Sequence, residues 1–148
     1  MLDVLYIEDN KDEINIFARL LKKIDQPYTF QLFETGGEAL NYLLEKGPFE
    51  GQLTFLPKLV MVDLNLPGLN GFEVLQQLRA NKRTKYLSVV VYSTSESPTD
   101  IRRAYELGVN AYVIKPGGYR ALSQTMLRVL DFWINENRVD PHTGRAQY

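Results

Sequence analysis

The sequence predicts an α/β fold: a doubly wound sheet of five parallel strands, order 2-1-3-4-5, flanked by five helices. Two observations and one packing rule predict it. Short apolar runs alternate with segments whose apolar side chains recur every three or four residues. Three of those helical segments open on a capping residue with an acid three positions on. Alternating strands and helices imply a mostly parallel sheet covered on both faces, and right-handed crossovers leave few ways to wind it.

Each element has its own signal. Leu2–Ile7 is a short run of strand formers, and Ile14, Phe17, Leu21 and Ile24 follow at helical spacing. After Pro27, Tyr28–Phe33 reads as a second strand, and Ala39, Leu40, Leu43 and Leu44 mark a short second helix. Lys58–Val62 is the third strand, and Phe72, Val74, Leu75 and Leu78 give the third helix. Ser88–Tyr92, with its consecutive valines, is the fourth strand. Ile101, Ala104 and Tyr105 give the fourth helix and Ala111–Ile114 the fifth strand; a last helix runs from near Gly118 to about Asn135. Ser97-Pro98-Thr99-Asp100 offers a capping hydroxyl, proline at the first helical position and an acid at the third. Thr35 with Glu38, and Asn70 with Glu73, repeat the spacing. These caps satisfy amides that a first helical turn leaves unpaired, so they speak of structure and not of function.

The 148 residues suit one domain, expected over 1–136, with a tail over 137–148. Seventeen basic residues against eighteen acidic ones give no global pull toward nucleic acid or an anionic membrane. Without cysteine there is neither a disulfide framework nor a thiolate metal site. Asp3, Glu8 and Asp9 interrupt the first apolar run too early for a signal peptide or a membrane span, so a cytoplasmic protein is expected.

In a sheet wound 2-1-3-4-5, the order of flavodoxin-like folds, the binding crevice lies outside the carboxyl ends of strands one and three. Strand one ends in Glu8 and Asp9, and strand three in Asp63. Like charges held together repel, and burial worsens the repulsion. The acids must raise a pKa, stay solvated or bind a cation, and Mg²⁺ suits a few carboxylates with waters and a substrate phosphate. Nothing near in sequence suggests zinc, and the single histidine, His142, reads as a solvated tail residue. The acidic pair alone is equally compatible with loop acids or helix caps. Asp63 is harder to dismiss, because it ends a buried-strand pattern and an ionised acid there needs partners. Strand four ends in Ser93 and Thr94, whose hydroxyls can bond a phosphoryl oxygen. Strand five ends in Lys115-Pro116, whose ammonium can neutralise phosphate or carboxylate. Each has an ordinary explanation as a turn hydroxyl or surface lysine. Together, at four strand ends of one edge, they are much harder to attribute to chance.

In that order, Glu8-Asp9, Asp63-Leu-Asn-Leu-Pro67-Gly-Leu-Asn-Gly71, Ser93 and Lys115-Pro116 resemble the receiver domain of bacterial response regulators. The similarity covers roughly Leu2 to Asn135. It implies a phosphorylation switch of two-component systems, not an enzyme beyond its own phosphorylation and dephosphorylation. Asp63 would take a phosphoryl group from the phosphohistidine of a sensor histidine kinase. Asp9 and Asp63 would hold Mg²⁺ or Mn²⁺, with Glu8 acting mainly through a bound water and Asn65 through its backbone carbonyl. Lys115, Asn65, Ser93 and Thr94 would bind the phosphoryl group. Ser93 and Tyr112 would form the switch pair, with the Tyr112 ring swinging inward as Ser93 moves. For Tyr112 the ordinary alternative is a static strand aromatic. The resemblance also implies a cis Lys115–Pro116 peptide. Asn65 and Ser95, at positions that tune hydrolysis in the family, are small and neutral and imply no fast self-hydrolysis.

Two departures stand out. Glu45 to Pro57 is a long connection, and Gly117-Gly118 replaces the common aromatic after Lys115-Pro116. The long connection, with Phe132-Trp133 in a prolonged last helix, resembles the small regulators that serve bacterial phytochromes, which implies a phytochrome kinase as partner. In the last helix Leu122, Met126, Val129 and Trp133 form a stripe, Leu127, Leu130 and Ile134 widen it, and Phe132 lies apart. A homodimer surface and a fully packed terminal helix with one exposed aromatic both fit this pattern. The segment after residue 135 is too short for a DNA-binding module, so output is expected through a protein partner or dimerisation.

Three rival functions compete with the switch. An aspartyl-phosphate hydrolase needs an acid where Asn65 stands. A flavin domain needs a phosphate cradle where Glu8 and Asp9 would repel it. A pseudo-receiver that is never phosphorylated, acting only as a binding module, is the remaining alternative.

Overall fold

Residues 2–25 and 27–141 are described by the computed structural model. They form β1 (Leu2–Ile7), α1 (Lys11–Lys23), β2 (Phe30–Phe33), α2 (Gly36–Leu43), β3 (Pro57–Val62), α3 (Gly71–Ala80), β4 (Val89–Ser93), α4 (Pro98–Glu106), β5 (Ala111–Ile114) and α5 (Tyr119–Leu130). All strand pairs are parallel and the order is β2-β1-β3-β4-β5, as the sequence predicts. Among the described residues no helix is long and apolar enough to cross a membrane. His142 lies outside the described residues.

Alternation along the strands sorts their side chains onto two faces. Leu5, Ile7, Val60, Val62, Val89 and Val91 pack against α2, α3 and α4. Val4, Tyr6, Leu59, Met61, Val90 and Tyr92 pack against Phe17 and Leu21 of α1 and against Leu122, Met126 and Val129 of α5. Burial on both faces is why the central strands read as near-continuous apolar runs.

The expected caps form: Thr35, Asn70 and Ser97 each accept the amide three residues on. Asn10 caps α1 as well, accepting from the amides of Asp12 and Glu13. β2 is shorter than the apolar run suggested, because the Asp3 carboxylate takes the Thr29 amide at 2.9 Å and accepts its hydroxyl at 3.2 Å. The last helix runs α-helical to Leu130 and continues as a π-helical stretch, Asp131–Glu136. Leu130 and Ile134 are core residues, whereas Leu127 and Phe132 are exposed.

The long connection after α2 is folded onto the domain. It contains a 3₁₀ turn, Gly47–Phe49, whose Phe49 ring meets Tyr42 edge-on. Arg83 pins it from the turn after α3: the guanidinium donates to the Leu43 carbonyl at 3.2 Å and the Thr54 carbonyl at 2.7 Å, and pairs with Glu45 at 3.0 Å. At the amino ends of β4 and β5, Arg79 donates to the carbonyls of Gly108 (2.8 Å), Lys85 (3.0 Å) and Leu87 (2.8 Å) and to Asn110 Oδ1 (2.8 Å).

Candidate functional site

The ends of β1, β3, β4 and β5 deliver their groups to the opposite, carboxyl edge. The β1 ladder closes with the Glu8 amide donating to Phe33 O, so Glu8 and Asp9 stand at the rim. The Asp63 amide donates to Ile7 O at 3.2 Å, which sets the β3 end beside them. The β5 ladder ends where the Lys115 amide donates to Ser93 O at 2.7 Å, after which Pro116, lacking an N–H, cannot extend it. The Lys115–Pro116 peptide is trans, not cis: among the described residues no peptide bond is cis. This is the isomer that an X–Pro bond ordinarily favours.

Three carboxylates meet here. Oxygens of Glu8, Asp9 and Asp63 lie within 4.8 Å of one another, with Glu8 and Asp63 buried and Asp9 exposed. They line a cavity of about 280 Å³ whose wall also includes Asn65, Thr94 and Lys115. A hard cation with oxygen ligands fits this donor set, which offers carboxylates and no soft ligand. Asp63 is 7% exposed, so its carboxylate is sheltered yet faces the cavity. Behind it, Gly71 approaches the Asp63 backbone so closely that a Cβ at this position would fall 2.4 Å from the Asp63 carbonyl oxygen. Only glycine lets α3 start this near the strand end.

Among the described residues that line the cavity, Lys115 is the single cation. Its Nζ donates to Glu8 Oε1 at 2.5 Å, to Glu13 Oε2 at 2.6 Å and to Asp63 Oδ2 at 3.2 Å. The other Glu8 oxygen accepts the amides of Asp9 (3.0 Å) and Asn10 (3.3 Å), so both its oxygens are engaged. Four carboxyls against one ammonium leave an excess of negative charge. Burial, reinforced by the neighbouring Glu13 carboxyl, pushes the Glu8 carboxyl up to about 8 against the pull of Lys115. Burial would by itself lower Lys115, but its bonds to Glu13 and Glu8 and the charge of Asp63 outweigh it and raise the ammonium well above its ordinary value.

Glu13 carries no signal in the sequence. A carboxylate in the first turn of a helix reads as a partner of the helix dipole, and nothing local links it to a lysine about a hundred residues away. Two residues expected at the site lie off the cavity. Ser93 is fully buried and its hydroxyl accepts the Ser95 amide at 3.2 Å. Tyr112 is half-buried on the α4 side of the sheet, and its hydroxyl already donates to the Ser95 carbonyl at 2.8 Å. The Ser95 hydroxyl in turn donates to Asp100 at 2.6 Å. The loop between β4 and α4 is therefore tied to both elements.

The model of the response regulator receiver domain matches residues 4–127. The chain belongs to that family. As a receiver it is a signalling domain and not a catalytic enzyme, and its acidic pocket is of the kind typical of phosphoaccepting response regulators. It is 35% identical over 135 residues to the probable methanogenesis regulatory protein FilR2 of Methanothrix harundinacea, covering 91% of this chain and 85% of that one. It is 30% identical to response regulator Rcp1 of Synechocystis over 88% of each chain, and the Mn²⁺-bound structure of Rcp1 superposes with a TM-score of 0.85 over 95% of this chain and 99% of that one. The phosphorylated cyanobacterial phytochrome response regulator RcpA gives 0.86 at 31% identity, over 93% of this chain and 97% of that one. The receiver's similarity to phytochrome response regulators thus holds in sequence and in structure.

Proposed function

We propose that this receiver is a phosphorylation switch in which Asp63 accepts a phosphoryl group from the phosphohistidine of a sensor histidine kinase. One observation carries the reading: the sheltered Asp63 carboxylate opens onto a cavity with two further acids within 4.8 Å and the Lys115 ammonium at 3.2 Å. An Asp63 carboxylate oxygen attacks phosphorus, the P–N bond breaks, its electron pair leaves with the imidazole, and an acyl phosphate forms. Glu8, Asp9, Asp63 and the Asn65 carbonyl would hold Mg²⁺ or Mn²⁺, which when bound offsets charge on the phosphoryl oxygens. The engagement of both Glu8 oxygens supports its acting through water. Lys115 neutralises the phosphoryl group, with the Asn65 amide and the Thr94 hydroxyl beside it at the cavity wall. Ser93 is the buried hydroxyl that must leave the Ser95 amide to reach the new oxygen, and Tyr112 follows because it holds the same loop.

The likeness to phytochrome response regulators supports a phytochrome-type sensor kinase as donor, and a cytoplasmic location goes with it. The balanced net charge supports protein partners over nucleic acid or membrane. Exposed Leu127 and Phe132 on the last helix support output through a homodimer.

Intact mass after incubation with Mg²⁺ and a small phosphoryl donor tests the acceptor. One added phosphoryl group, lost in Asp63→Asn and without Mg²⁺, is the expected result. No gain under any condition would leave the binding-module reading in its place.

A further inference from the structure

Lys115 has three carboxylate partners, and only one of them stands outside the cation cluster. Glu8 and Asp63 both belong to the trio whose oxygens converge within 4.8 Å; Glu13 does not. Its bond to Nζ, at 2.6 Å, is shorter than the 3.2 Å bond to Asp63. Glu13 also comes from a fixed element. It lies in the first turn of α1, whose start is set by Asn10 accepting the Asp12 and Glu13 amides.

We propose that Glu13 is a positioning residue that holds the Lys115 ammonium on the α1 side of the pocket and keeps it from competing with a divalent cation for Glu8 and Asp63. The inference rests on the reading of this pocket as a cation-assisted phosphoryl acceptor. A cation among Glu8, Asp9 and Asp63 repels the ammonium and withdraws two of its three partners. Glu13 is the partner left. With it, the lysine stays beside Asp63 while the cation is bound. Without it, the ammonium turns wholly to Glu8 and Asp63, the oxygens the cation needs. Glu13 thus divides a crowded pocket into a cation half and a lysine half.

Two measurements test this. Mg²⁺ affinity is determined by calorimetry for the wild type, Glu13→Gln, Lys115→Met and the double variant. Glu13→Gln is expected to weaken Mg²⁺ binding on the order of tenfold, the scale of lost outer-shell partners of metal ligands. In the Lys115→Met background the same change is expected to do far less. Equal losses in both backgrounds, or none in either, overturn the proposal, because Glu13 then acts through its charge alone or not at all. The second measurement needs no metal: the ¹⁵Nζ signal of the Lys115 ammonium is expected to shift between the wild type and Glu13→Gln, as the bond to Glu13 passes to Glu8 and Asp63. An unchanged signal overturns the proposal, even where Lys115→Met fails to fold or Mg²⁺ binding cannot be read. Phosphorylation of the wild type separates the two readings. Coupling without phosphorylation removes the acceptor and leaves Glu13 in its role; phosphorylation without coupling removes only Glu13.

Discussion

Lys115 at the carboxyl edge of the sheet and Arg79 at the amino edge are both drawn out of water, yet their partners differ in kind. Lys115 meets three carboxylates, whereas Arg79 meets three backbone carbonyls and one side-chain amide. The arginine's planar fork suits fixed, neutral acceptors that it can satisfy once and for all. The ammonium is a point charge, and its partners outnumber it. Burial lowers the Arg79 pKa, while the surrounding acids raise that of Lys115. The amino edge is closed chemically and holds the fold. The carboxyl edge is left over-supplied with negative charge, which suits a site that must receive cations and exchange partners.

Removing each cation should therefore have different consequences. Lys115→Ala leaves buried acids uncompensated and is expected to cost about 3–5 kcal/mol at neutral pH. Mg²⁺ should restore part of that loss in urea titrations, because it replaces the missing charge.

The next largest effect is that of pH. The Glu8 carboxyl binds its proton more tightly in the folded protein, up to about 8, than in the unfolded chain near 4.5. Its contribution to stability is therefore fully present below about 4.5 and is lost as pH rises toward 8. Unfolding of the metal-free wild type and Glu8→Gln across this window should show the wild type losing stability relative to the variant. Mg²⁺ binding should strengthen over the same window with release of a proton, because the cation needs the ionised form.

Arg79→Ala should cost about 2 kcal/mol through its unpaired carbonyls, with no rescue by Mg²⁺ and no change in phosphorylation by the small donor. Rescue by Mg²⁺ would erase the contrast between the two edges. The smallest effect is expected of Arg83→Ala, about 1 kcal/mol with faster proteolysis between residues 45 and 56, because it frees only the long connection.

Much of this is legible in the residues. The strands can be read because burial on both faces makes them continuous apolar runs, and the helix starts because each cap lies within three residues of its partner. Their order, with the winding rule, suffices to bring Glu8, Asp9 and Asp63 to one crevice. What sequence leaves out depends on distant pairs. Glu13 finds Lys115, and Arg83 finds Leu43 and Thr54, across separations that no local pattern encodes. The Asp3 contact that shortens β2 is of the same kind. The π-helical turn at Asp131–Glu136 has no proline or glycine to announce it. The trans Lys115–Pro116 peptide departs from what the family resemblance implies, and no feature of the surrounding residues points to either isomer.

Every strand in this sheet is parallel to its neighbours, so no pairing can form from a tight hairpin. Glu8, Asp63 and Lys115 come from the first, middle and last thirds of the domain, and they meet only when β1, β3, β4 and β5 have all docked. Such pairings close large loops and assemble late. On the proposed function this makes the pocket a checkpoint on biosynthesis: a nascent or partly unfolded chain would have Asp63 but no means to load it, so a signal would be written only on molecules already folded.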